Sequence, residues 1–299
     1  MSQRVRSSLS AVLILLACLL APLGALSTWA MYGLGDPGRY RATVAPLAAD
    51  SDVRDAIAAG VTDGILREVH VRPRLQGPVN HFVRDAVLSF TETEAYRTAW
   101  EAASMAVHDA VMQALRDDRA GPVTVDLAPV TEQVKRRLTD DHMPLANRIP
   151  VEHTEVTVLE AEDLAQLRKG FHVLEVAAFW LPMGAVAFAL AGILVAVRRR
   201  RALLATGLGT ALGAALLGAA ITVGRRMTLA DLPPDVSPLA AGAVYDALTE
   251  TLRLVSWLLL ALGLAVALAA GITGVYARYR RASATPPQAP AERSRRVRA

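Results

Sequence analysis

The densest group of side chains able to hold a metal ion is Asp140, Asp141, His142, Glu152 and His153, five carboxylate or imidazole groups within 14 residues. Carboxylates and imidazoles together suit zinc and related transition ions. Their spacing matches no recognised metal motif, and in an extended segment Glu152 and His153 would point to opposite faces. The plain alternative is a solvated acidic loop, which leaves Asp140, Asp141, His142 and His153 as weak metal candidates. His172 and Glu175 stand one helical turn apart, where a carboxylate near an imidazole forms an interfacial, pH-sensitive pair. The alternative there is ordinary helix-end polarity. His108 shares a long helical run with Trp100 and reads as a packing residue beside an apolar stripe. No nucleophile elbow, zinc-protease helix, phosphate-binding glycine loop or dinucleotide fingerprint occurs. The sequence therefore assigns no catalytic residue and no cofactor, and an enzyme is unsupported.

The elements that would position these groups are mostly membrane helices. Of the 299 residues, 53% are hydrophobic and only 20% charged, and the apolar ones are concentrated. Residues 9–31, 171–197, 202–223 and 252–276 each exceed the roughly 20 residues a helix needs to cross a bilayer, and none has a charge near its middle. The single cysteine, Cys18, lies in the first of them, so no intramolecular disulfide can form. Leu15, Leu16, Ala17 and Cys18 resemble a lipoprotein processing box, but Leu19, Leu20, Ala21 and Leu23 continue the apolar run where such a signal turns polar. An apolar core this long favours a retained anchor over a cleaved secretion signal.

Basic residues set the orientation. Residues 1–8, the loop 198–201 and the tail 277–299 together carry 13 arginines against one acid, Glu292. The positive-inside rule places all three in the cytoplasm, with Arg198, Arg199, Arg200 and Arg201 as the topology-setting quartet. The long segment 33–170 holds 16 basic and 22 acidic residues and is then extracytoplasmic. The basicity of the whole chain thus belongs to its cytoplasmic edges, which argues against nucleic acid as a partner. Its expected partner is the bilayer itself, with anionic lipids under a disordered basic tail. Trp29, Tyr32, Phe179, Trp180, Trp257 and Tyr276 fall near the span ends, as interfacial aromatic belts do.

Segment 33–170 is mainly helical by pattern. Asp36, Pro37 and Gly38 make a turn, after which Ser51 is the expected cap of a helix carrying Val53, Ile57, Val61 and Ile65. Val79, Phe82, Val83, Ala86, Val87 and Phe90 form a second stripe. Thr91 and Glu94 read as a capping box for a third helix with Tyr96, Trp100, Ala103, Val107, Val111 and Leu115 on one side. Residues 123–127 then alternate as a strand does, a short helix follows Pro129, and residues 155–159 alternate again. That order predicts a small β-sheet with parallel pairing through a crossover. Gly209 and Gly213 in the third span form a GxxxG pair for close helix packing, either within the chain against Gly263, Gly271 and Gly274 or in a homo-oligomer. Residues 224–251 return outside, where Ser237 and Pro238 open an amphipathic helix that runs into the fourth span. The expected fold class is a mainly α membrane protein: four transmembrane helices arranged one plus three, with an α-rich extracytoplasmic domain containing a small sheet.

Several fragments in combination resemble a known group. They are Phe90 with Tyr96, Trp100 and His108; the strand 123–127 followed directly by a helix; Val156 to Leu159 leading through Arg168 to Trp180, Leu181 and Pro182; the arginine quartet; and Tyr245, Asp246, Ala247, Leu248 and Thr249 ahead of Leu252 and Arg253. The pattern is similar to that of uncharacterised actinobacterial integral membrane proteins with one span, an extracytoplasmic domain and three further spans. The resemblance implies the layout and the origin, and no activity. The leading expectation is a non-enzymatic plasma-membrane protein whose outer domain binds a cell-envelope component or partner protein. An oligomeric transporter or channel subunit, and a sensor signalling through a partner, are the alternatives.

Overall fold

The computed structural model describes residues 3–68, 76–117, 123–126, 155–159, 161–234 and 236–283, with Ala128, Glu132, Lys135, Arg136 and Thr139 described singly. Helix α1 (Gln3–Thr28) passes into a π-helical stretch, Trp29–Leu34. Then come α2 (Pro37–Val44), a 3₁₀ stretch Ala45–Ala49, α3 (Ser51–Glu68), α4 (Gln76–Thr91) and α5 (Glu94–Arg116). Strands β1 (Val123–Asp126) and β2 (Glu155–Leu159) precede three long helices, α6 (Ala161–Val195), α7 (Arg199–Ala230) and α8 (Pro238–Ser283). Four of these, α1 with its extension, α6, α7 and α8, are long and apolar enough to cross a membrane. Multi-pass insertion follows, because only helices with all backbone groups paired internally tolerate hydrocarbon on every side.

The four long helices pack through small residues. Ser10, buried, donates to the Gly192 carbonyl at 2.7 Å, and Thr28 donates to the Ala178 carbonyl at 3.2 Å, so α1 is pinned to α6 near both ends. One turn before Thr28, a Cβ on Gly24 would lie 3.0 Å from the Pro182 nitrogen, so glycine there lets α1 approach the proline of α6 closely. Helices α7 and α8 meet glycine to glycine: a Cβ on Gly207 would stand 2.7 Å from the Gly263 carbonyl, and one on Gly263 2.6 Å from the Gly207 carbonyl. In lipid there is little hydrophobic drive between helices, and such backbone proximity supplies the association through dispersion.

Ser10, Ile14, Ala196, Ala202 and the Arg200 contact with Ala270 and Gly271 gather the start of α1, the α6–α7 turn and the far part of α8 at one end of the bundle, the arginine end. The helical domain sits at the other. Its core is Val44, Leu47 and Val53, flanked by Ile57 and Trp100, and it rests directly on Ala240, Ala243, Val244, Ala247 and Leu248 of α8. Trp100 donates its indole N–H to the Val44 carbonyl at 2.9 Å, which ties α5 to α2. His108 is buried against the top of α1: its Nε2 lies 2.9 Å from the Leu34 carbonyl and its ring stacks on Tyr40 with centroids 4.4 Å apart. Burial pushes the Tyr40 phenol above its ordinary range. The buried polar tips of Trp100 and His108 are thus each matched by a backbone carbonyl, which the packing-residue reading of His108 anticipates.

Several expectations are corrected. Among the described residues the domain is helical, and in place of the expected small parallel sheet two strands meet only as an antiparallel ribbon with Thr124 opposite Thr157 and Asp126 opposite Glu155. Alternation specifies which residues share a face and leaves strand direction open. Direction is set here by the neighbouring helices, because Arg168 near the start of α6 donates to the Ala114 carbonyl of α5 at 2.8 Å. A chain that leaves the end of α5 and returns beside it to start α6 runs outward and back, hence antiparallel. The α3 cap is Asp50, whose carboxylate accepts from the Asp52 and Val53 amides at 3.0 and 3.1 Å, rather than Ser51. Thr93 caps α5 by accepting from the Tyr96 amide, while Thr91 bonds back to Leu88. Finally, α8 stays helical to Ser283, past the residue at which the tail was expected to begin.

Candidate functional site

On the domain half of the α7–α8 pair a groove of about 640 Å³ runs along the surface. Its floor is Ala214, Ala215, Gly218, Ala219 and Thr222 of α7, and its α8 wall is Ser256, Trp257 and Leu260. Small residues recur on α7 at helical spacing, so one stripe of that helix lacks side chains long enough to close against α8. Beside the groove, which Ile221 also lines, Leu217, Ile221 and Leu252 make a buried cluster with Trp29 and Tyr245, and Tyr245 donates to the Ile221 carbonyl at 2.9 Å. The two helices are therefore firmly joined on one flank and separated on the other.

The mouth is charged. Arg225 of α7 meets Asp246 of α8 in a forked pair, Nε to Oδ1 at 3.0 Å and Nη2 to Oδ2 at 3.0 Å. Arg253, two turns along α8 from Asp246, places its Nη2 2.9 Å from Oδ1. One carboxylate is shared by two guanidinium groups, and all three side chains are part-exposed, at 38 to 45%. In water such pairs contribute about 0–1 kcal/mol, so this cluster is no strong clamp and its excess positive charge stays accessible. Trp257, 65% exposed, lies one turn from Arg253 on the same helix, as an aromatic ring at headgroup depth does.

A shallower depression of about 410 Å³ at the arginine end is lined by Arg4, Ser7, Ser10 and Ile14 of α1 and by Arg198 and Arg201. The other member of the quartet inside the bundle, Arg200, folds back onto α8. Its Nε and Nη2 donate to the Ala270 carbonyl at 2.8 and 2.7 Å and Nη2 to the Gly271 carbonyl at 2.9 Å. Arg200 is thus a helix-to-helix tie as well as a basic flank.

The expected site residues fare differently. Asp140, Asp141, His142, Glu152 and His153 lie outside the described residues, and among the described ones no cluster suited to a metal occurs. His172 and Glu175 are both exposed, no ion pair joins them, and His172 Nδ1 sits 3.2 Å from the Arg168 carbonyl one turn back. Gly209 and Gly213 face α1, not α8: a Cβ on Gly213 would stand 3.0 Å from the Cys18 carbonyl, and Gly209 abuts the Cys18 side chain. The expected intrachain use of the pair is found with a different partner, and Gly207 with Gly263 makes the α7–α8 contact instead. The Arg225, Asp246 and Arg253 cluster was not singled out from sequence. The signal was there, charged residues at the facing ends of two spans, but pairing needs the hairpin geometry. Compared with protein-family models, curated proteins and solved structures, the chain matches none.

Proposed function

We propose that this chain is a plasma-membrane protein with its termini in the cytoplasm and its helical domain outside, and that it binds a cell-envelope component or partner protein without catalysing a reaction. The observation that carries the reading is the seating of the domain on α8, through Val44, Leu47 and Val53 on residues from Ala240 to Leu248. The same helix continues into the groove at Asp246 and Arg253, so domain, charged cluster and span form one continuous surface at the domain end. The start of α1, the arginine quartet and the far part of α8 gather at the opposite end, where the positive-inside rule wants the cytoplasm. Binding at the domain would then be felt by the span without any cytoplasmic domain.

Two measurements test this. In a Cys18→Ala background, an impermeant maleimide added to intact cells should label Glu92→Cys, whose parent side chain is 75% exposed, and spare Arg199→Cys. The reverse pattern overturns the orientation. A photo-crosslinking residue at Phe82, 75% exposed on α4, should then join the domain to an envelope component in cells. Absence of any adduct from that face and from the exposed Val61 face of α3 would remove the binding role.

A further inference from the structure

We propose that the α7–α8 groove holds one anionic phospholipid of the leaflet beside the helical domain, its phosphate on Arg225 and Arg253 and one acyl chain along the alanine and glycine floor toward Leu260. The proposal rests on the preceding reading only for which leaflet supplies the lipid. The groove and its charge are the same whichever side faces out.

Three observations converge. The first is charge: Asp246 engages Arg225 through Nε and Nη2 and Arg253 through one Nη2, so the two forks retain N–H donors and a net positive charge at the mouth. Planar guanidinium forks suit phosphate oxygens better than point charges do. The second is length. From Arg225 to Ala214 is 11 residues, about 16 Å at 1.5 Å per residue, which matches half of a hydrocarbon core roughly 30 Å thick. Beyond that depth the groove is shut, because Gly207 and Gly263 bring the helix backbones into contact. A helix from a second copy would need a channel through both leaflets, whereas an acyl chain needs one. The third is polarity along the groove, which passes from guanidinium groups through Thr222 and Ser256 to Ala214, Ala215 and Leu260. A small soluble anion has no use for that apolar floor.

The test uses the full chain in nanodiscs of phosphatidylcholine containing a minor fraction of either brominated phosphatidylglycerol or brominated phosphatidylcholine. Bromines on the acyl chain quench nearby indoles, and the Trp257 contribution is isolated by subtracting the Trp257→Phe signal. At about 1 kcal/mol per basic residue near the surface, brominated phosphatidylglycerol should quench Trp257 on the order of fivefold more efficiently than brominated phosphatidylcholine. Arg225→Gln with Arg253→Gln should abolish that preference. Because the double variant strands Asp246, the triple variant with Asp246→Asn is measured beside it. Ala219→Leu, which keeps the arginines and fills the floor, should lower quenching by both lipids. Equal quenching by the two lipids in the parent protein overturns the proposal. So does displacement of the brominated lipid by soluble glycerol phosphate, which would mark a headgroup-only site, or a Trp257 signal protected by a crosslinkable second copy. None of these outcomes depends on orientation, so failure here is distinct from failure of the labelling experiment in cells.

Discussion

Helices α7 and α8 are one hairpin with two unlike halves. In the arginine half, glycine meets glycine, and Arg200 spans the gap to the α8 carbonyls. In the domain half, the same two helices leave a groove on one flank, and two arginines share a carboxylate at its mouth. Both halves use small residues on α7, so smallness alone does not decide whether a groove opens. What differs is reciprocity. Gly207 has Gly263 opposite it, so the backbones close; Gly218 has Ser256, whose oxygen would lie 3.7 Å from an added Cβ, and the helices stay apart. The arginines follow suit: one is consumed by backbone oxygens, two are left facing outward with a single acid.

The strongest way to break the comparison is to spoil the closed half. Gly263→Leu places a side chain where a Cβ already lies 2.7 Å from the Ala211 nitrogen, and both helices must part. Overpacking of this kind costs about 1–3 kcal/mol, and more where backbone rather than side chain must yield. The bundle should lose resistance to denaturing detergent, read as the midpoint of unfolding. Gly271→Ala, where an added Cβ meets nothing within 4 Å, should be neutral in the same assay. If both behave alike, glycine on glycine is not what closes this half.

Arg200→Ala is next. It removes three hydrogen bonds to Ala270 and Gly271, but those carbonyls are already in a helix and keep their axial partners, so the loss is on the order of 1–3 kcal/mol for charge-assisted bonds. Arg200→Lys should recover less than half of it, since one ammonium cannot reach two carbonyls as the planar fork does. Full recovery by lysine in the same unfolding measurement would show that Arg200 acts by charge alone.

How much of this was legible beforehand follows from what each kind of pattern encodes. The spans were legible because a run of apolar residues is a one-dimensional signal, and 171–197 corresponds to the membrane part of α6 with little error. The α5 helix and the burial of Tyr96 and His108 were legible for the same reason, through periodicity. Strand direction was not, because β1 and β2 are placed by the meeting of α5 and α6, a contact between residues 54 apart in sequence. The partner of Gly209 and Gly213 was not either: a small-residue pair says that something approaches closely and not what, and Cys18 is nearly two hundred positions away. The Arg225, Asp246 and Arg253 cluster escaped for a third reason. Its members fall on either side of the turn between α7 and α8, and charges beside spans look like ordinary interfacial flanks until the hairpin brings them together.

The smallest expected effect on stability is the sharpest probe of the open half. Asp246→Asn keeps the size and the hydrogen-bonding oxygen of the side chain and removes the charge that two guanidinium groups now share. A part-exposed pair is worth about 0–1 kcal/mol, so the unfolding midpoint should hardly move. The electrostatics of the mouth move much more, because the excess there rises from one positive charge to two while the fork geometry is kept. If the groove takes an anionic lipid, quenching of Trp257 by brominated phosphatidylglycerol should increase severalfold, with brominated phosphatidylcholine unchanged. A structural cluster predicts the opposite split, since removing a carboxylate that only holds α7 to α8 would lower stability and leave lipid preference where it was. The one substitution therefore separates the two halves by function: in the closed half lost contacts appear as lost stability, and in the open half a lost charge appears as gained binding.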